Sequence, residues 1–487
     1  MSWHVRVAPN RYADSVRLMG IAAEVRKREG VERAEVAMGT PANLEQLAEL
    51  GARVDAGSGD VVIAVAADED EVASAALEEA ERGLDSLGTD DRDVRAHPRP
   101  PRSLTRATTE LEGANLALIS VPGEYATLEA HRALSSEMHV FLFSDHVPLE
   151  DELRLKRRGV ERGLLVMGPE SGTAMLAGVG LGFANVVGRG SVGIVSAGGT
   201  GAQEVACLLD AMGVGVSHII GTGGRDVAPE VDGLMFREGI RLLAEDDETD
   251  TLLLVSKVPT SEVVHRLADV VPEDKRVVAA LVGWSDGDAA FEIHPTLEAG
   301  ALAAAGVDDL PGEGELAESV RGARSRSAGG RLLGLYSGGS LAHEAVTILE
   351  PELGAIAGNV GGGPDEASDR HALLDLGEAE YTQRRPHPMV DLGTRIDKLL
   401  EAADDDSFGC VLLDVVLGHG AHPDPASELA DAIGKVSVRA LVLARVCGTR
   451  GDPQDSDRQA ATLSEAGALV APSNACAARL AARALAP

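Results

Sequence analysis

Gly193-Ile-Val-Ser-Ala-Gly-Gly-Thr-Gly-Ala-Gln-Glu204 reads as a buried strand that runs through a glycine-rich turn into the start of a helix. A second copy, Gly334-Leu-Tyr-Ser-Gly-Gly-Ser-Leu-Ala-His-Glu344, follows about 140 residues later with one residue fewer in its turn. After each copy comes a helical stretch with an acidic end, Arg241-Leu-Leu-Ala-Glu-Asp-Asp247 and Lys398-Leu-Leu-Glu-Ala-Ala-Asp-Asp405. Each of these leads into a buried-strand pattern, Thr251-Leu-Leu-Leu-Val-Ser256 and Cys410-Val-Leu-Leu-Asp-Val-Val416. The duplication predicts two similar α/β lobes. Each would present a helix N-terminus, where free N–H groups and the macrodipole favour an anion. If both termini point at one place, that place suits a phosphoryl group.

Composition narrows the classes. A chain of 487 residues predicts roughly two to four domains. Apolar residues make up 44%, enough for packed cores rather than wholesale disorder. Aromatics are only 2% and the formal net charge is −34, so base-stacking platforms are scarce and a phosphate backbone would be repelled. No nucleic-acid partner is expected. The four cysteines (Cys207, Cys410, Cys447, Cys476) form no C-x-x-C pair and no zinc spacing, the usage of reduced thiols in a cytosolic protein. Residues 1–30 carry charges throughout, and no apolar run reaches the ~18 residues of a membrane span. The expectation is a cytoplasmic protein without a membrane partner.

Short β-branched or Leu-rich runs alternate with longer amphipathic segments, the pattern of parallel α/β domains. Strand His4–Ala8 precedes a helix whose Leu18, Ile21, Ala22 and Val25 fall on one face. Strands follow near Ala34–Met38 and Asp60–Ala66, then at Asn115–Val121, Val140–Phe143 and Leu164–Met167. The patterns predict a first domain over 1–188, with a Pro/Arg-rich loop near 86–112. A first duplicated lobe covers 189–290, an Ala/Gly-rich and charged linker 291–330, and a second lobe 331–487.

Ser196, Gly199 and Thr200 in the first turn, and Ser337, Gly338 and Gly339 in the second, are the candidate phosphate ligands, through backbone N–H and hydroxyl groups. Gly221-Thr-Gly-Gly-Arg-Asp226 is a third glycine-rich strand end. There Gly223 and Gly224 offer N–H groups and Arg225 a bidentate donor. Any one such turn is as well explained by a plain α/β crossover; the pairing is what favours an anion. No G-x-x-x-x-G-K-[ST] occurs, so no self-contained triphosphate site is predicted.

His387 lies in Arg384-Arg-Pro-His-Pro-Met-Val-Asp391, where two prolines stiffen the loop and Arg385 and Asp391 are close in sequence. The three are the candidate catalytic residues, with His387 as phosphate ligand or general base. A surface imidazole at a capped helix start is the equal alternative. His294, in Phe291-Glu-Ile-His-Pro295, reads better as a loop histidine than as a nucleophile. His419, His422 and Asp424 read as a structural loop, and no bound metal is expected.

The chain resembles the FdrA family of acyl-CoA synthetase-like proteins. The segments that carry the resemblance include Met38-Gly-Thr-Pro-Ala-Asn43, Leu118-Ile-Ser-Val-Pro-Gly-Glu-Tyr-Ala126, Gly163-Leu-Leu-Val-Met-Gly-Pro169, Gly221-Thr-Gly-Gly-Arg-Asp226, Arg385-Pro-His-Pro-Met389 and Asp452-Pro-Gln454. More remotely, 1–285 is similar to the α subunit of succinyl-CoA synthetase, and 331–487 to the C-terminal ligase domain of its β subunit. The resemblance implies an α/β fold, with a Rossmann-like CoA-binding domain followed by two flavodoxin-like ligase domains. It implies that Val121, Pro122, Ser144, Gly168 and Pro169 line a CoA site at strand ends. It also places the two duplicated turns where phosphate-binding turns belong.

Two departures bear on chemistry. The Gly-His-Ala-Gly motif that carries the phosphohistidine of the succinyl-CoA synthetase α subunit is absent, and so is the ATP-grasp domain of its β subunit. The resemblance therefore implies a subunit that binds CoA and phosphate or an acyl phosphate and works with further subunits in a hetero-oligomer. The alternative it implies is a subunit of an oxamate carbamoyltransferase in purine and allantoin breakdown, making carbamoyl phosphate from oxalurate and phosphate. A non-catalytic CoA-binding scaffold is the third reading.

Overall fold

Val61-Val-Ile-Ala-Val-Ala-Ala67 contains no polar residue, and every one of its side chains is buried. A strand buried on both faces belongs in the middle of a sheet, and that is where the computed structural model puts it. The structure describes all residues except 1, 10, 12, 14, 29, 58, 68, 88–100, 102, 258, 286–289, 328, 361–370, 383–385 and 487. It separates into two units, Met1–Pro100 and Pro101–Pro487.

The first unit runs β1 (Ser2–Ala8), α1 (Ser15–Arg26), β2 (Val31–Met38), α2 (Pro41–Glu49), β3 (Val61–Ala67) and α3 (Asp70–Leu87). Its sheet has the order β1-β3-β2, with both pairings antiparallel. Leu18 and Val25 of α1 and Ala76, Ala80 and Leu84 of α3 pack against Val61, Ile63 and Val65. Leu47 and Ala52 cover Val62 and Ala64 on the other face. This corrects the extent of the expected Rossmann-like domain over 1–188, whose parallel sheet lies in the residues after 100. Alternating strands and helices do not reveal which strands are neighbours, and here β3 inserts antiparallel between β1 and β2.

The second unit opens with α4 (Leu104–Glu110), β4 (Leu116–Ile119), α5 (Gly123–Ser135), β5 (His139–Leu142), α6 (Leu149–Arg162) and β6 (Val166–Met167). These strands form a parallel sheet, β4-β5-β6. A hairpin of β7 (Thr173–Leu176) and β8 (Val179–Gly182) leads into the first duplicated lobe. That lobe contains β9 (Arg189–Ser196), α7 (Gly199–Ala211), β10 (Val216–Gly221), α8 (Leu234–Glu245), β11 (Thr251–Ser256), α9 (Ser261–Ala268), β12 (Arg276–Leu281), β13 (Glu292–His294) and α10 (Leu297–Ala305). After α11 (Glu313–Ser327), the second lobe follows with β14 (Arg331–Tyr336), α12 (Gly339–Leu353), β15 (Ala372–Asp375), α13 (Ala379–Thr382) and α14 (Gly393–Ala403). It closes with β16 (Phe408–Val416), α15 (Pro425–Ser437), β17 (Leu441–Cys447), α16 (Ser456–Glu465), β18 (Ala468–Ala471) and α17 (Asn474–Leu485).

The two lobes repeat one topology. Numbering strands within each lobe, both sheets have the parallel order 2-1-3-4-5, as β10-β9-β11-β12-β13 and β15-β14-β16-β17-β18. The first also carries β7 and β8 antiparallel on β10. The expected linker over 291–330 is corrected: β13 and α10 belong to the first lobe. Their Ala/Gly-rich composition serves close packing, since a Cβ on Gly300 would lie 2.5 Å from Ala280 Cβ.

The lobes share one hydrophobic core, to which α7, α10, α12 and α17 all contribute, through residues such as Val205, Ala301, Ala345 and Ala481. Inside it, each turn-helix caps the other lobe's last helix. Glu204 of α7 accepts the Asn474 N–H at the start of α17 (3.1 Å). Glu344 of α12 accepts the Leu297 N–H at the start of α10 (2.7 Å). A carboxylate there answers both the orphan donors and the positive helix end. Arg445 reaches both oxygens of Glu204 at 3.0 Å, with the two side chains only 10% and 1% exposed.

Glu204→Ala would leave a buried guanidinium without its carboxylate and the Asn474 N–H at the start of α17 without its acceptor. It is expected to lower unfolding free energy by about 3–5 kcal/mol, read from the midpoint and slope of a urea titration. A loss under about 0.5 kcal/mol, the level of an unremarkable surface change, would refute the coupling of the lobes through this pair.

Candidate functional site

Reciprocal caps in the core bring the two duplicated turns face to face. A Cβ on Gly198 would lie 2.3 Å from Ser340 Oγ, and one on Gly338 would lie 2.8 Å from Thr200 Cβ. Glycine is thus required by close approach between lobes. Neither Gly198 nor Gly338 caps its helix with a side chain. The first N–H groups of α7 and α12 accordingly converge on one region from opposite lobes.

The two turns are closed differently. Ser196 Oγ accepts the Gly198 N–H (3.1 Å) and donates to Gly198 O (2.7 Å), so it folds back on its own turn. In the second turn Asp414 accepts Ser337 N–H (2.9 Å), Ser337 O–H (3.0 Å) and Gly338 N–H (2.9 Å). Asp414 is held in turn by buried Arg395, at 2.8 Å. The donors of Ser337 and Gly338 are thereby engaged within the protein. Gly339, Ser340, Gly199 and Thr200 supply the remaining N–H groups at the two helix starts.

Around these termini stand groups from several elements. Lys257 follows β11 in the first lobe and crosses to the second: its Nζ lies 3.1 Å from a Cβ built on Gly339. Asp375 Oδ2 lies 2.7 Å from that same point, while Oδ1 accepts the Gly377 N–H at 2.9 Å. Burial pushes the Asp375 carboxyl up to about 6. A Cβ on Gly377 would meet His387 Nε2 at 2.8 Å, Ser337 O at 3.0 Å and Asp375 Oδ1 at 3.1 Å, so these three atoms surround one small space. His387 Nδ1 accepts the Met389 N–H (3.3 Å), which leaves the proton of the neutral ring on Nε2. Burial brings His387 down to about 4, with Arg395 adding to the shift and Asp414 opposing it. His343 of α12 is brought to about 4 by burial and by Lys257.

The remaining expected residues lie as follows. Arg385 is outside the described residues. Asp391 accepts the Gly393 N–H (2.8 Å) at the start of α14. Arg225 is tied to Glu152 (2.9 Å) and to Val147 O (2.9 Å), in a cluster where buried Lys156 joins Glu152 to Asp226. Gly223 packs on the cis Gly168–Pro169 bond, a Cβ there falling 2.4 Å from Pro169 O, and Gly224 lies beside Ala197 O. Val121, Pro122 and Ser144 sit at the C-terminal ends of β4 and β5, and Gly168 and Pro169 follow β6. Buried Ser144 Oγ has no hydrogen-bond partner among the described residues. The N-terminus of α5 is covered by the chain itself, since a Cβ on Gly123 would lie 2.3 Å from Asp145 O.

An aromatic line joins the two regions. Phe143, beside Ser144, packs on Phe183 at 5.8 Å between centroids, and Phe183 packs on His387 at 6.0 Å. His294 pairs with Glu292 on β13, and His422 pairs with Glu428. Among the described residues no group of His, Cys, Asp and Glu is placed to hold a metal ion. No helix among them is long and apolar enough to cross a membrane.

Lys257, Asp375, Asp414, Arg395, His343 and Phe183 were not anticipated from sequence. Two of them carried a signal. Lys257 ends the apolar run that begins at Thr251, and Asp414 is the sole charge within Cys410–Val416. A charge closing or interrupting a buried strand needs a partner.

Duplicated 2-1-3-4-5 lobes with facing helix N-termini define a pair of flavodoxin-like α/β domains. The CoA-ligase family profile matches residues 335–484, and a profile described as the AllF heavy metal-associated domain matches 1–100. The chain is 33% identical to the uncharacterized protein YahF of Escherichia coli (strain K12), over 97% of each chain. The chain belongs to the FdrA family of acyl-CoA synthetase-like proteins. It is also 27% identical to the succinate–CoA ligase α subunit of Methanothermobacter thermautotrophicus, over 37% of this chain and 60% of that one. The structure of ATP citrate lyase from Methanothrix soehngenii with citrate and coenzyme A superposes with a TM-score of 0.34 at 18% identity, over 42% and 38% of the two chains. Residues 1–100 contain no cysteine, so no thiolate there could bind a heavy metal.

Both perturbed histidines make stability depend on pH. Their folded values, about 4 against an ordinary 6.5, mean the unfolded chain binds protons the folded one refuses. Their contribution is fully present above 6.5 and is lost as pH falls toward 4. Asp375, raised from 3.8 to about 6, acts oppositely, its contribution being lost as pH rises through 6. Melting temperature should therefore fall from neutral pH to roughly pH 5 by less in a His343→Gln/His387→Gln double variant than in the parent. An equal fall in both proteins would show that these rings are not buried neutral.

Proposed function

We propose that the junction of α7 and α12 holds the phosphoryl group of a small acyl phosphate. The acyl group then passes to the thiol of CoA held along the strand ends of β4, β5 and β6. The carbonyl–oxygen bond of the acyl phosphate breaks, a carbonyl–sulfur bond forms, and phosphate leaves with the bridging oxygen. The thiol proton goes to the departing phosphate. His387, neutral and with its proton on Nε2 toward the Gly377 space, suits a hydrogen bond donated to a phosphoryl oxygen. The observation that carries this reading is the convergence of two helix N-termini and Lys257 on one place. The line from Phe143 through Phe183 to His387 supports a link between the strand ends and that place. On this reading ATP is used by a partner subunit, which makes the acyl phosphate.

A second reading, carbamoyl transfer between a dicarbonyl acid and phosphate, is favoured by one observation. Backbone oxygens of Asp145 and His146 cover the α5 N-terminus, where a pyrophosphate would otherwise be drawn.

Thermal stabilisation separates these readings. A ligand at about 100 times its Kd should add about 2.7 kcal/mol, and on the first reading both CoA and phosphate do so. Gly338→Ala drives a methyl group toward Thr200 and should weaken phosphate binding by about tenfold or more, leaving CoA binding intact. Stabilisation by carbamoyl phosphate with CoA silent would move the assignment to the second reading. Equal phosphate binding by Gly338→Ala and the parent would remove the junction as the site.

A further inference from the structure

An anion at the junction of α7 and α12, the reading just given, meets an obstacle within the protein: a carboxylate is already there. Asp375 is 3% exposed, and its Oδ2 points to the first residue of α12. Oδ1 is satisfied by Gly377, but Oδ2 has no hydrogen-bond partner among the described residues. Lys257 Nζ shares the same spot, yet no ion pair closes between the two groups. A buried carboxylate with one oxygen unpaired, beside a cation it does not bind, marks a place meant to receive something else.

We propose that Asp375 and Lys257 make this junction a proton-linked anion site, in which Asp375 takes up one proton as a phosphoryl group binds and Lys257 supplies the fixed positive charge. As a carboxylate Asp375 repels the incoming anion. As a carboxylic acid it donates a hydrogen bond from Oδ2 to a phosphoryl oxygen. Lys257 then serves the ligand rather than the aspartate. The proton comes from solvent and returns when the anion leaves.

Asp375 is the junction group whose titration burial moves into the relevant range; Glu344, raised to about 7, is bound in the core to Leu297 and Asn474. Asp375 is faced by Lys257 after β11, by Glu378 on the following turn, by Asp414 on β16 and by His387 across Gly377, with His343 beside Lys257. Asp414 is bound to Arg395 and to three donors of the second turn. Both histidines are held near 4 and stay neutral above it. Glu378 is exposed to solvent.

Calorimetric titration with sulfate, whose charge is fixed, and with inorganic phosphate tests this at roughly pH 5.5 and roughly pH 7.5 in buffers of different ionisation enthalpy. Wild-type affinity for sulfate should fall about tenfold per pH unit above Asp375's value, with close to one proton taken up per anion. Asp375→Asn, which keeps an oxygen for Gly377, should bind with a pH-independent affinity and no proton uptake. Lys257→Met should bind at least about tenfold more weakly at both pH values, with an unchanged melting temperature to show that it folds. Acetyl phosphate, compared with inorganic phosphate, tells whether the acyl ester or free phosphate is the preferred source of the group. A wild-type pH slope that persists in Asp375→Asn, or full binding by Lys257→Met, overturns the linkage while leaving the site standing. Failure of every phosphoryl ligand and sulfate to bind wild type at either pH overturns the site itself.

Discussion

Everything near the candidate site depends on a pair of buried carboxylates used reciprocally. Glu204 and Glu344 occupy the same place in the two duplicated turn-helices, six residues after the capping glycines Gly198 and Gly338. Each reaches across to cap the last helix of the opposite lobe. Asn474 touches both, through its N–H to Glu204 and its amide to Glu344 at 2.8 Å. Burial raises Glu344 to about 7, with Glu204 contributing as a like charge. A twofold-like arrangement of this sort fixes the direction of α7 and α12 together. The convergence of their N-termini follows from the caps, not from any attraction between the turns, whose positive ends repel each other.

On this symmetric frame the polar residues have diverged. Gln203 on α7 is an internal brace, donating to Asn185 and to Leu417 O, while its counterpart His343 on α12 stands beside Lys257. By strand register Lys257 corresponds to Leu417, which is buried and apolar. Ser196 closes its own turn, whereas Ser337 gives its donors to Asp414. The packed parts of the repeat are equivalent and the charged parts are not. A reaction between unlike groups needs that inequality, because a symmetric site would present the same chemistry twice.

The lobes and their turns were legible because hydrophobic periodicity and glycine at a strand end are local signals. The first 100 residues were misread for a matching reason: alternation of strand and helix is the same in a parallel sheet and in one with an antiparallel strand inserted. Residues 291–305 looked like a linker because alanine and glycine give little periodicity, although Gly300 is there to let α10 sit on Ala280. The site was less legible than the fold. Ser196, Thr200, Ser337 and His387 became candidates through turn chemistry and proline flanks. Asp375 and Lys257 come together only through tertiary contact, from positions 118 residues apart in different lobes. Arg225 looked like an anion ligand because its partner Glu152 lies 73 residues away.

In a chain of net charge −34, the proposed binding of an anion poses an electrostatic problem that has to be solved locally. Helix N-termini supply only partial charges, which fall off within the first turn. Six lysines serve the whole chain, and Lys257 is the one that reaches the facing termini. If Asp375 were permanently ionised, it would cancel that single charge and leave the dipoles to hold the ligand alone. If it were absent, Lys257 would sit uncompensated beside two positive helix ends in the empty protein, a costly arrangement in a partly buried place. A carboxyl that ionises when the site is empty and takes a proton when it is filled satisfies both states. Burial of Asp375 is what makes that exchange accessible near neutral pH.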